Sequence, residues 1–193
     1  MKIVFLLEEE SMKQVLDIIL PQILSKDTCF ITIPHQGCGD LRRSVENKLN
    51  SWRGDDTRFV IVHDQDNKDC RLLKQELDAI CGPYKREVLI RIACQELEAW
   101  YFGDLKAVSA AYGKNLSHLA NKKKYRTPDD IRDPKELLRR LIPEHQQISG
   151  AKRIASRMDL ASNNSKSFNA FISGVRRLEG RSRHSVQKIE TRN

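Results

Sequence analysis

Long apolar stretches are missing from this chain of 193 residues. No run approaches the roughly 20 apolar residues that cross a bilayer as a helix. The amino-terminal apolar run is cut short at Glu8 and lacks the basic head and small-residue cleavage site of a secretory signal. We therefore expect a cytoplasmic protein with no membrane partner.

Paired cysteines are also missing. The five cysteines form an odd set, and no two of them stand in a C-x-x-C arrangement. This spacing favours reduced thiols over a disulfide framework or a zinc site. His35 and Cys38 offer two candidate metal ligands, but no second pair follows them. A loop histidine and a packed thiol are therefore the expectation.

Acidic residues are scarce in the second half of the chain. Residues 106–193 contain 20 Lys and Arg against 8 Asp and Glu, a net charge of +12, whereas residues 1–105 contain 14 against 18, a net charge of −4. A basic half beside an acidic cluster suits a protein that handles a polyanion through a metal ion. Lys and Arg also serve solubility, so charge alone leaves a nucleic-acid partner and a solvated surface equally open.

Two short apolar runs end on acids. Residues 3–7 lead into Glu8, and residues 59–62 lead through His63 into Asp64 and Asp66. Continuous β-branched and aromatic runs of this length are typical of buried strands in a parallel sheet. The carboxyl ends of such strands face one crevice, so we expect these carboxylates to converge and bind Mg²⁺ or Mn²⁺. The alternative is that D-x-D is ordinary turn chemistry.

Strand and helix patterns alternate through the first half. We predict strands at 3–7, 29–33, 59–63 and 88–94, with helices after the first three at 11–23, 41–52 and 69–81. Further helices follow at 96–102, 105–112, 134–142, 151–160 and 167–178. This order predicts an α/β fold, a mostly parallel sheet flanked by helices. We assign 1–104 to the α/β core, 105–178 to a basic helical extension packed on it, and 179–193 to a disordered basic tail.

Four segments resemble a known family: LEEES at 7–11, HDQDNKDC at 63–70, RIACQELEAWYFGD at 91–104 and SKSF at 165–168. The order of elements over roughly residues 1–100 resembles the Toprim domain of topoisomerases, primases, recombination-repair proteins and overcoming-lysogenization-defect nucleases. The four segments are similar to a Toprim-like prokaryotic family of unknown function, to about residue 177. Its members are often encoded beside an ABC- or AAA-type ATPase in settings typical of phage defence.

The resemblance implies roles for particular carboxylates. Glu8 becomes the general acid/base or metal-bridging group, and Asp64 and Asp66 become magnesium ligands. Glu9 and Asp69 stand where Toprim domains usually have glycine. Their added negative charge implies either further ion coordination, with Asp69 as a ligand, or a site tuned away from catalysis.

A second acidic pair follows the fourth predicted strand. Glu96 and Glu98 are two residues apart, and such residues do not share a helix face, so we expect different roles for them. We assign Glu98 to the crevice, where it would serve a metal or orient a water. The alternative is that both acids form the solvated first turn of a helix that Trp100 and its aromatic neighbours anchor in the core.

Basic residues supply the predicted nucleic-acid contacts. Tyr125 lies within one basic run, where its ring would stack on a base, and a second basic group lies on a helix that we expect to begin after Ser149 and Gly150 and to approach a phosphate. A solvated loop is the alternative for the first run. The predicted contacts are Lys122, Lys123, Lys124, Arg126, Lys152 and Arg153.

Two functions are compatible with these patterns. The first is a magnesium- or manganese-dependent nuclease acting on DNA or RNA, in phage defence together with an ATPase partner. The second is a non-catalytic regulatory or nucleic-acid-binding subunit that uses the Toprim scaffold to dock an ATPase. The second is motivated by the small size of the chain, by the absence of a Gly-rich Lys loop for ATP and by Glu9 and Asp69 at the usual glycine positions.

Overall fold

A computed structural model of the chain describes residues 1–54 and 56–190, with side chains described no further than Gly180. Strands and helices alternate through the first half. They are β1 (Lys2–Leu7), α1 (Glu10–Ile23), β2 (Cys29–Pro34), α2 (Cys38–Ser51), β3 (Thr57–Asp64), α3 (Cys70–Cys81) and β4 (Val88–Ala93). The predicted disordered tail, 179–193, falls almost wholly outside the residues whose side chains are described, and it stays a prediction.

The second half is helical. It contains α4 (Glu98–Phe102), α5 (Leu105–Tyr112), α6 (Pro134–Leu141), α7 (Gln147–Ala155) and α8 (Lys166–Glu190). Three short 3-10 turns connect α5 to α6, at Ser117–Asn121, Lys123–Tyr125 and Pro128–Asp130. The predicted helical elaboration of an α/β core is therefore present.

The four strands form one sheet in the order β2-β1-β3-β4, and every pairing between them is parallel. Leu7 pairs with Pro34 on one side and with Val62 on the other, and Asp64 pairs with Ala93. The carboxyl ends of all four strands therefore lie along one edge, with β1 and β3 in the middle. The α/β fold class with a parallel sheet flanked by helices is confirmed.

Alternation along β1 divides the interior into two cores, because successive side chains of a strand point to opposite faces. Phe5 and its neighbours two residues away belong to a large core beneath α1, α4, α5, α7 and α8. Val4 and Leu6 belong to a smaller core beneath α2 and α3. Both sheet faces are covered by helices, which explains why the strands are continuously apolar.

Aromatic packing joins the helical second half to the sheet. The ring of Trp100 lies 5.2 Å from that of Phe168 and 5.3 Å from that of Phe171, and Phe171 reaches Phe5 of β1 at 6.5 Å between centroids. The α/β core and the helical extension that we assigned on either side of residue 104 thus share one hydrophobic cluster.

The start of α7 differs from the sequence prediction. The helix begins at Gln147, so Gly150 lies inside it and not before it. A Cβ atom added at Gly150 would lie 2.4 Å from two ring atoms of His145 and 2.6 Å from the hydroxyl of Tyr112. Close packing explains this glycine, and the predicted start of the helix at residue 151 is wrong. The approach of this helix to a phosphate stays a prediction.

Candidate functional site

The ends of β1 and β3 are tied together by a carboxylate. Glu8 follows β1 directly and is 7% exposed. Its Oε2 atom accepts a hydrogen bond from the backbone N–H of Asp64 at 2.9 Å. Its carbonyl oxygen accepts one from the N–H of Gly37, which precedes α2, at 3.0 Å. Glu8 therefore links three loops at the carboxyl edge of the sheet.

His63 is fully buried beside Glu8. Its Nδ1 atom lies 2.9 Å from Glu8 Oε2 and 2.5 Å from the carbonyl oxygen of Asp64. Burial by itself raises the pKa of Glu8. The hydrogen bond from His63 and its charge act in the opposite direction, as do the Asp64 amide and Lys68, and together they leave this pKa below its ordinary value. His63 is thus a hydrogen-bonded core histidine in contact with a candidate site residue.

Asp64, the last residue of β3, is a buried carboxylate with unsatisfied bonding capacity. It is 7% exposed, and its Oδ1 atom has no hydrogen-bond partner among the described residues. Burial raises the pKa of Asp64 well above its usual range, and repulsion from nearby carboxylates adds to the effect. The contributing carboxylates are Glu8, Glu9, Glu98 and Asp66. We call these five acids the carboxylate cluster.

Glu98 belongs to the same cluster through α4, of which it is the first residue. It is 2% exposed. Burial raises its pKa to about 7, with repulsion from Glu9 and Glu96 adding to the rise and Lys135 opposing it. Glu96 has a different position, because its Oε2 atom accepts the backbone N–H of Lys135 at 3.0 Å near the start of α6. The two acids therefore play different parts, and Glu98 is the one that joins the cluster.

Asp66 and Asp69 lie in the loop after β3, and both are exposed. Asp66 adopts a left-handed backbone conformation with φ of 49°. Partial burial and then Glu8 raise the pKa of Asp66. Asp69 caps α3, because its Oδ1 atom accepts the N–H groups of Arg71 at 2.8 Å and Leu72 at 3.0 Å, and these bonds lower its pKa. The structure thus gives Asp69 a helix-capping role, and its role as a metal ligand stays a prediction.

Three side chains come close enough to share one ion. Glu8, Cys38 and His63 each offer a ligand atom, and these atoms all lie within 4.8 Å of one another. No other set of three His, Cys, Asp or Glu residues within the described parts of the chain has its ligand atoms this close together. Asp64 and Asp66 therefore do not form such a set with Glu8. His35, which we considered with Cys38 as a candidate ligand, has its Nδ1 atom 2.8 Å from the carbonyl oxygen of Leu7 instead.

A cleft of about 290 Å³ opens beside the carboxylate cluster, and it mixes acidic, basic and amide side chains. The amide of Gln147 donates to Glu9 Oε2 at 2.6 Å, and the ammonium group of Lys135 lies 3.7 Å from the same atom. The cleft is therefore joined to the cluster through Glu9. Its lining residues are Glu98, Lys135, Arg139, His145 and Gln147.

His145 forms one wall of the cleft. Its Nδ1 atom lies 2.6 Å from the hydroxyl of Tyr112, and its Nε2 atom has no hydrogen-bond partner in the described part of the chain. Burial lowers the pKa of His145, and the positive charges of Arg153 and Lys135 lower it further. No spacing or motif in the sequence connects His145 and the other basic and amide residues of the cleft with the strand ends, so they could not be predicted. These residues are Lys135, Arg139 and Gln147.

The six basic residues predicted to contact nucleic acid are all exposed, but the ring of Tyr125, within the first basic run, is buried. Tyr125 is 9% exposed, and its ring packs 5.8 Å from that of Phe102. Stacking of Tyr125 on a base is therefore wrong. Arg153 lies on α7 with its guanidinium 5.2 Å from the ring of Tyr112, which places it close to the cleft. The exposed residues are Lys122, Lys123, Lys124, Arg126, Lys152 and Arg153.

The fold and the site define a class: a parallel α/β protein with buried carboxylates at the carboxyl edge of its central strands and a helical half that encloses them. The chain belongs to the family described as Domain of unknown function (DUF4276), whose model matches residues 7–176. Neither a curated protein nor a solved structure matches the chain. None of the helices described over residues 1–54 and 56–190 is both long and apolar enough to cross a membrane.

Proposed function

We propose that this protein is a metal-dependent phosphoryl-transfer enzyme of the nuclease type, acting on DNA or RNA with Mg²⁺ or Mn²⁺. Asp64 would hold the ion, with Glu8, Asp66 and Glu98 as the carboxylates around it. Bound there, the ion would supply charge stabilisation for a phosphate oxygen and a more acidic water.

One observation carries this proposal: the environment of Asp64. Its carboxylate is buried, its Oδ1 atom lacks a hydrogen-bond partner among the described residues, and four further carboxylates raise its pKa. Negative charge on a buried carboxylate is unfavourable unless a proton or a cation compensates it, and a bound cation would take the place of the proton. Carboxylate oxygens are hard ligands, which suit Mg²⁺ and Mn²⁺. The oxygen donors around Asp64 are therefore of the type that the proposed ion prefers.

The cleft supports an anionic substrate. Lys135 and Arg139 line it together with Glu98, so two cations adjoin the carboxylate cluster. Positive side chains hold phosphate oxygens, and the net charge of +12 on residues 106–193 extends this attraction over the helical half. In this proposal the helical half binds the backbone of the nucleic acid, and the sheet edge provides the carboxylates.

Glu98 is suited to proton transfer. General acid and base catalysis is most efficient when the pKa of the group lies near the working pH, and the pKa of Glu98 is about 7. Within the proposal, Glu98 exchanges a proton with the substrate or with a water in the cleft. Tyr101, whose buried hydroxyl has no hydrogen-bond partner among the described residues, lies near Glu98 and Asp64.

Cleavage assays test the proposal. The purified protein is incubated with DNA, structured RNA and tRNA in the presence of Mg²⁺, Mn²⁺ or a chelator. We expect metal-dependent cleavage that Asp64→Asn and Glu98→Gln each reduce at least 100-fold, a typical size for loss of a general acid or base. Glu46→Gln makes the same chemical change at an exposed position of α2 and is the matched control.

Cleavage that survives in Asp64→Asn would come from a contaminant and would remove the enzymatic proposal. Salt-sensitive binding of nucleic acid without cleavage would instead favour the non-catalytic subunit. In that case, copurification with an ABC- or AAA-type ATPase is the next measurement.

A further inference from the structure

We infer that Glu8, Cys38 and His63 form a site for a zinc-class divalent transition metal. The three residues come from the end of β1, the first turn of α2 and the end of β3. Their ligand atoms all lie within 4.8 Å of one another. Bonds from zinc to sulfur, nitrogen and oxygen ligands are about 2.0–2.3 Å long. Small movements of the side chains would therefore bring the three atoms to one shared ion.

The donor types select the class of ion. A thiolate, an imidazole and a carboxylate together suit Zn²⁺, Co²⁺ or Fe²⁺, whereas Mg²⁺ takes oxygen ligands and avoids sulfur. Three protein ligands also leave a position open for a water or a substrate atom, as in catalytic zinc sites. The site is thus chemically distinct from the all-oxygen set of Asp64 and Asp66, although both include Glu8.

The contacts of His63 match those of a metal-binding histidine. Its Nδ1 atom lies 2.5 Å from the carbonyl oxygen of Asp64 and 2.9 Å from Glu8 Oε2, and both oxygens are suitable acceptors for an N–H donor. Its Nε2 atom is buried and has no hydrogen-bond partner among the described residues. A hydrogen bond from one ring nitrogen to a backbone carbonyl fixes the tautomer of a histidine ligand and leaves the lone pair of the other nitrogen free.

The burial of the three residues favours specific binding. Glu8 and His63 are 7% and 0% exposed, and Cys38 is half-buried. Cys38 is therefore the ligand nearest to solvent, which gives the ion a path of entry. The inference goes beyond the proposed function, since such an ion binds whether or not the protein cleaves nucleic acid.

Cobalt absorption spectroscopy tests the inference on the purified full-length chain after treatment with a chelator. Co²⁺ bound to a thiolate gives a ligand-to-metal charge-transfer band in the near ultraviolet. We expect this band to appear on titration with Co²⁺ and to disappear when excess Zn²⁺ displaces the cobalt. Cys38→Ser should abolish the band, and His63→Gln should weaken Co²⁺ binding at least tenfold.

Cys94→Ser is the matched control, because Cys94 is also a half-buried free thiol but lies after β4. The band should persist in this variant. Absence of the band in the wild type, or its persistence in Cys38→Ser, would overturn the inference. Circular dichroism of each variant shows whether it is folded, and Glu8→Gln provides a second ligand variant that keeps the thiol and should also bind Co²⁺ at least tenfold more weakly.

Asp64→Asn separates the two proposals. It should keep the Co²⁺–thiolate band while losing Mg²⁺-dependent cleavage. A band without any cleavage in the wild type would support the zinc-class site and count against the nuclease, whereas cleavage without a band would do the reverse.

Discussion

Replacing Glu98 by Gln should change the pH dependence of stability. Glutamine keeps the size of the side chain but cannot ionise. Glu98 is 2% exposed and has a pKa of about 7, compared with an ordinary value of 4.5. Burial is the main cause of this rise, so the folded chain resists ionisation of Glu98 and the unfolded chain does not.

The size and sign of the effect follow from this difference in pKa. Each unit corresponds to about 1.4 kcal/mol, so ionised Glu98 lowers the free energy of unfolding by about 3 kcal/mol. Between pH 4.5 and 7 the folded chain retains a proton that the unfolded chain has released. Stability of the wild type therefore falls as pH rises through this window. Glu98→Gln cannot ionise at this position. Its free energy of unfolding, relative to that of the wild type, should therefore rise by about 3 kcal/mol between about pH 4 and about pH 8.

Urea unfolding at several pH values measures the effect, with fluorescence of the buried Trp100 as the signal and a chelator present throughout. The same measurement on Glu46→Gln controls for removal of a carboxylate outside the cluster. If the difference between Glu98→Gln and the wild type is constant across the window, Glu98 does not ionise as described, and its part in the cluster is refuted.

Three further substitutions test packing and helix capping by chemical unfolding. Gly150→Ala should lower the free energy of unfolding by about 1–3 kcal/mol, because the new Cβ atom would lie 2.4 Å from the ring of His145. Gly39→Ala should raise it by up to about 1 kcal/mol, since the nearest atom is 3.8 Å away, and equal effects at both glycines would contradict the packing described. Asp129→Ala should cost about 2 kcal/mol, because its carboxylate accepts hydrogen bonds from hydroxyl and amide groups at the start of α8. An unchanged unfolding midpoint would exclude that capping role.

The sheet was predictable because its two central strands, β1 and β3, are buried on both faces. β1 and β3 are continuously apolar and end on acids, and these features identify central parallel strands without knowledge of their neighbours. The start of α7 was not predictable in the same way. Gly150 looks like a boundary in the sequence, and only its packing against His145 shows why a glycine stands inside the helix.

The candidate site was predictable only where the chain passes directly from a strand into it. Glu8 and Asp64 follow from parallel topology, and Glu98 follows from its place after β4. The positions of Cys38 and of the cleft residues on α6 and α7 depend on how these helices pack at the sheet edge. No local sequence pattern predicts that packing. Asp69 shows the opposite case, in which a plausible motif position is occupied by helix capping.

The cleft has a consequence for how members of this family could diverge. Its cations, Lys135 and Arg139, lie on α6, whereas the buried acids lie mainly at strand ends. The cations of the cleft and the buried carboxylates therefore come from separate stretches of the sequence. If the proposed function holds, exchange of the 134–147 stretch between relatives should change the preferred anion and leave the carboxylates at the strand ends in place.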